Sequence, residues 1–122
     1  MSGERGSVSV VTAAIAGLSL VLALGASDVA RVFVAAARAQ TAADAAALAA
    51  AQELALPTGL DPAAVAGDYA TRNGASLVSC TCAPASAEAV VEVRITIDSL
   101  ALIPGTRAVS GRARAVVDLP TP

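Results

Sequence analysis

The chain has 122 residues, 56% of them apolar but only 2% aromatic, with a mean hydropathy of +0.69. Eight arginines against ten acids leave a net charge of −2, with no lysine and no histidine. That length leaves room for one small domain beside an apolar segment. The thin, balanced charge is neither a nucleic-acid binder's footprint nor a polybasic membrane patch, and without histidine there is no histidine base, histidine metal ligand or serine–histidine pair.

Residues 8–27 form one uncharged apolar run that passes into an alanine-rich stretch over residues 29–56. About 20 apolar residues suffice to cross a bilayer as a helix. Past Gly25 no glycine or proline interrupts the chain until Pro57 and Gly59, so one helix from about Val8 to Ala55 is predicted. Such a helix reaches roughly 70 Å, against about 30 Å of hydrocarbon, and its second half must project from the membrane. The competing reading is a cleaved signal peptide, with Arg5 before the run and Ala23-Leu24-Gly25 as a weak cleavage site. That would leave a secreted, soluble binding or structural protein. The length of the run and the helical character beyond Gly25 favour an uncleaved anchor.

Charge barely discriminates orientation, because Arg5 is offset by Glu4, and Arg31 and Arg38 by Asp28 and Asp44. The cysteines and the β-rich later segment hint that the C-terminal part is outside. Within the span, Ala13, Gly17, Val21 and Gly25 recur every four residues. Ala13, Gly17 and Gly25 are candidates for close helix packing in lipid, although such spacing also arises by chance in an alanine-rich segment. Beyond the span, Gln40 and Asp44 stand four apart on one helix face and can bond locally, amid alanines that permit close approach of another element.

Pro57, Gly59 and Pro62 mark a turn, dividing an N-terminal helical segment, residues 1–56, from a small α+β head, residues 57–122. Asp61 as N-cap and Pro62 at the first helical position begin a second helix that Gly74 ends after Asn73. Its face of Val65, Ala66, Tyr69 and Ala70 is expected to pack on a sheet through the Val65 and Tyr69 side. A short strand is expected around residues 76–80. Next, Val91, Val93, Ile95 and Ile97 alternate with Glu92, Arg94, Thr96 and Asp98, and Val109, Gly111, Ala113, Ala115 and Val117 share one face of a further strand. This period of two predicts a sheet wet on one side, with Pro104-Gly105 in the intervening turn region. The sum is a three-stranded antiparallel sheet covered by a helix, since a lone hairpin is marginal in water.

Little here carries chemistry. The scattered glycines make no phosphate loop, and Glu88, Glu92, Arg112 and Arg114 read as solvated strand charges. Cys80-Thr81-Cys82 is the one reactive pair, open to three readings: a local disulfide, a bridge between chains, or two free thiols. The spacing does not match zinc linkers.

Gly6 before a long apolar helix, then Asp28-Val29-Ala30-Arg31, then Gln40-Thr41-Ala42-Ala43-Asp44-Ala45-Ala46-Ala47-Leu48-Ala49, resembles the start of TadE/TadG-like pilus-assembly proteins, in particular a short actinobacterial TadE-like group described by its helicase and secretion gene neighbourhood. The resemblance covers roughly the first half of the chain. It implies a non-enzymatic, pseudopilin-like, single-pass component of a tight-adherence pilus or secretion machine, with its N-terminus cytoplasmic and its head outside. The implied partners are the membrane, other pilin-like or secretion subunits, or further copies of itself, with no nucleic acid, no small-molecule substrate and no cofactor. Prepilin-type processing in that family cuts after a glycine that has a glutamate five residues on. Here the cut would fall between Gly6 and Ser7, and the fifth position is Val11, a departure from the pattern.

Overall fold

A computed structural model describes residues 3–118 of the chain, with side chains from Gly6 onward. The long helix, α1, spans Gly3–Ala55 without a break, about 80 Å at 1.5 Å per residue. Alanine carries the highest helix propensity, and the hydroxyls of Thr12 and Thr41 donate back to the carbonyls of Val8 and Ala37, at 2.9 and 3.0 Å. These two hydroxyls are thereby satisfied by the helix itself.

Beyond Ala55 the chain turns on Glu53. Its carboxylate accepts from Thr58 N at 2.6 Å, Thr58 Oγ1 at 2.8 Å and Leu60 N at 3.1 Å, and the residue is 8% exposed. The Thr58 hydroxyl, followed by the Thr58, Leu60 and Gly59 amides, holds this carboxyl below its ordinary value against the opposing effect of burial.

The second helix, α2, runs over Pro62–Arg72, with the Asp61 side chain accepting from Ala64 N. Gly74, at φ +76°, lets the chain leave the helix in a left-handed turn. Gly74 N donates to Thr71 O at 2.9 Å and Ala75 N to Ala70 O at 3.0 Å, the paired bonds of a Schellman ending. The strands β1, Ser76–Thr81, β2, Glu88–Ile97, and β3, Arg107–Val116, form an antiparallel sheet in the order β1-β2-β3. The β2–β3 register runs without interruption from Glu88 opposite Val116 to Ile97 opposite Arg107, whereas β1 shifts register between Leu77 and Ser79. The expected α+β architecture is therefore the observed one.

Two features depart from expectation. First, α2 lies against α1 and β1, with Ala66 and Ala70 buried, while Tyr69 stays 39% exposed with the Arg72 guanidinium carbon 5.2 Å from its ring centre. The alanine face allows the closer helix-to-helix approach, and the tyrosine keeps its hydroxyl end wet. Second, the head does not begin after the Pro57 turn in packing terms. Ala42, Ala43, Ala46, Ala47, Ala50 and Ala51 of α1 share one core with Ala66, Ala70, Ala89, Val91 and Val93. The largest fully buried side chains are only Val91 and Val93, so the core is thin, and backbones approach closely instead of burying large side chains.

Candidate functional site

The first half of α1 is the most distinctive surface. Val8, Val10, Val11, Ile15, Leu18, Leu20, Val21 and Leu22 are each more than half exposed, and among the described residues no other element covers them. Among the described residues α1 is the one helix long and apolar enough to cross a membrane. Ala13 and Gly17 lie within this uncovered stretch, and an added Cβ at Gly17 would meet nothing within 4 Å. Gly25 differs: a Cβ there would lie 3.6 Å from Leu102 Cδ1, so its open side already faces another part of the chain. Gly6 and Ser7, the candidate processing pair, are exposed in the first turns of α1.

Directly after the apolar run, Asp28 is 4% exposed. Its two carboxylate oxygens accept from Ala101 N at 2.7 Å and Leu102 N at 2.8 Å, while Arg31 Nη1 donates to Ser99 O at 3.1 Å. Together they clamp the β2–β3 loop, residues 98–106, to the helix. The Leu102 and Ala101 amides, in that order, pull the Asp28 carboxyl below its ordinary value; partial burial opposes them and the Arg31 charge adds a smaller pull in the same direction. Sequence reading found Asp28 and Arg31 only as orientation charges and as part of a family-like string. The loop partners are 68 to 74 residues away, and no local periodicity signals them.

Gln40 and Asp44 sit farther along α1. Gln40 Nε2 donates to Asp44 Oδ1 and to the carbonyl of Arg112, both at 3.0 Å, so the local pair also satisfies an acceptor of the edge strand β3. One residue before, Gly111 is pressed against α1. A Cβ there would collide with the Ala39 carbonyl and lie 2.8 Å from Gln40 N. Ala39, Gln40 and Gly111 thus form a seam at which helix and strand backbones touch.

Cys80 and Cys82 are paired as a local disulfide with Cα atoms 5.5 Å apart. The second cysteine lies one residue past β1, and residues two apart on an extended chain point to the same side. On the wet face of the sheet, Arg114 meets Glu88 through Nε at 2.6 Å and Nη2 at 2.8 Å. Among the described residues no three cysteine or acidic side chains converge in a metal-binding geometry.

The arrangement is one of contacts: an uncovered apolar rod, a clamped loop and a helix–strand seam. The family model described as "Putative Flp pilus-assembly TadE/G-like" matches residues 6–53, a span that takes in the apolar run, Asp28, Arg31, Gln40 and Asp44. No curated protein and no solved structure matches significantly. Over that span the chain is similar to the family, and the same span holds the stretch of α1 that is long and apolar enough to cross a membrane.

Proposed function

We propose that the chain is a membrane-anchored, pseudopilin-like structural subunit of a Tad-type pilus or secretion apparatus, of the short actinobacterial kind, with its N-terminus cytoplasmic and its head outside. It acts without catalysis. The uncovered half of α1 packs laterally in the bilayer, where Ala13 and Gly17 permit close approach of a neighbouring helix, and the head contacts other pilin-like or secretion subunits or further copies of the chain. The observation that carries this reading is the division of one unbroken helix into an apolar half that the described residues leave exposed up to Leu22 and an alanine half that contributes to the core of the head. The local disulfide agrees with an oxidising compartment for the head.

The test is the intact mass and N-terminal sequence of the protein from the membrane fraction of its native host, together with carbonate extraction and maleimide labelling of an added head cysteine in intact cells. A carbonate-resistant chain that begins before residue 8 and is labelled from outside is expected. Among such chains, a start at Ser7 indicates prepilin-type processing despite Val11, and an uncut start indicates a permanent scaffold. A start near Ala26 with the protein in the medium would refute the anchor.

A further inference from the structure

The β2–β3 loop carries four consecutive apolar residues at its tip, Leu100-Ala101-Leu102-Ile103. Leu100, Leu102 and Ile103 line a shallow groove of about 350 Å³ together with Gly25, Val29, Val32 and Phe33, and with Asp28. Leu102 and Ile103 remain 45% and 43% exposed and Phe33 71%. A soluble loop does not ordinarily gather such residues in one patch. The placement gives the reason. Leu102 lies against Gly25, which belongs to the apolar run itself, so a bilayer that accommodates residues 8–27 reaches the loop as well.

The backbone bonding points the same way. At membrane depth a free amide is costly, because no water is there to receive it. Asp28 removes that cost at Ala101 and Leu102, and the Ser99 carbonyl is taken by Arg31, whose long stem lets its charge stay at headgroup level. Three backbone polar groups of the loop, the Ser99 carbonyl and the Ala101 and Leu102 amides, are thus tied inward to the helix, while Leu102 and Ile103 keep their aliphatic side chains exposed.

Resting on the anchored reading above, we infer that the tip of the β2–β3 loop is a second membrane contact, a foot that inserts Leu102 and Ile103, together with Phe33 of α1, at the acyl–headgroup boundary beside the span. The foot fixes how deep the helix sits and holds the head against one side of the bilayer surface.

The chain contains no tryptophan, so single tryptophans report position. The full chain is reconstituted as Ile103→Trp, Leu18→Trp and Val116→Trp in vesicles of phosphatidylcholine and phosphatidylglycerol, 3:1, with or without lipids brominated at shallow or deep acyl positions. Val116 marks the end of β3 remote from the loop. Blue-shifted emission of Ile103→Trp, quenched at least two-fold by the shallow bromines, is expected, with Val116→Trp unquenched and Leu18→Trp quenched by the deep ones. Water-like, unquenched emission from Ile103→Trp while Leu18→Trp is quenched would overturn the foot and leave the anchor standing. An unquenched Leu18→Trp would overturn both. Blue-shifted emission from Ile103→Trp that no lipid quenches would mean that another copy of the chain covers the tip, and would also overturn the foot.

Discussion

Replacing Gly111 by alanine adds one methyl group where the backbones of β3 and α1 touch. The new Cβ would collide with the Ala39 carbonyl and lie 2.8 Å from Gln40 N, and neither is the end of a flexible side chain. The strand must lift from the helix. Overpacking of this kind costs about 2 kcal/mol, and lifting β3 also breaks the bond from Gln40 Nε2 to the Arg112 carbonyl, about 1 kcal/mol more. The neighbouring core is alanine, whose short side chains cannot bridge a widened gap. A loss of about 3 kcal/mol in a head of this size lowers Tm by roughly 15 °C. The assay is thermal unfolding of the full chain in detergent micelles, followed by circular dichroism in the β region. Gly17→Ala serves as a control, because a Cβ there meets nothing. A Gly111→Ala melt within about 3 °C of wild type, with Gly17→Ala also unchanged, would refute the seam as a determinant of stability.

Truncation of the core valine, Val93→Ala, is expected to cost about 2 kcal/mol by cavity formation, read from chemical denaturation midpoints. Arg114→Ala is expected to cost less than about 1 kcal/mol in the same assay, because its pair with Glu88 is solvent-exposed. Acid should act locally before it acts globally. Asp28 and Glu53 are both held below their ordinary values in the folded chain, so their contributions are complete above the unfolded-state values near pH 4 and are lost as pH falls through the lower folded-state values. Faster hydrogen exchange at the amides of Leu102 and Thr58 as pH falls through that range, after correction for the intrinsic rate, is the expected result, and uniform protection down to global unfolding would contradict it. The double change Cys80→Ser with Cys82→Ser is expected to leave the head folded, with a loss of roughly 1.6 kcal/mol from loop-closure entropy over so short a loop, again measured by denaturation.

Most of the fold was legible because its signals are local. The 53-residue reach of α1 follows from an apolar and alanine-rich stretch without proline, α2 from Asp61-Pro62 and Gly74, and β2 and β3 from strict alternation. What escaped was tertiary. Nothing near Asp28 says that its partners are amides at residues 101 and 102, and nothing near Glu53 says that it gathers the following turn. Tyr69 misled because size suggested burial, whereas this core selects for smallness and put Ala66 and Ala70 inside. Gly111 reads in the sequence as one more small residue on a strand face; only the approach of Ala39 shows why a methyl group is excluded there. For Gln40 and Asp44 the spacing disclosed the local bond but not the Arg112 carbonyl that completes it.

Because α1 passes from the apolar run into the head without a joint, the two halves share a single rotational phase. Each residue advances the helix by 100° and about 1.5 Å, so one alanine inserted between Gly17 and Leu22 would swing Ala13 and Gly17 by about 100° relative to the sheet, while seven would bring them back to within about 20°. The intramembrane face and the head are thus geared together like two wheels on one shaft: any neighbour that fixes the azimuth of one fixes that of the other.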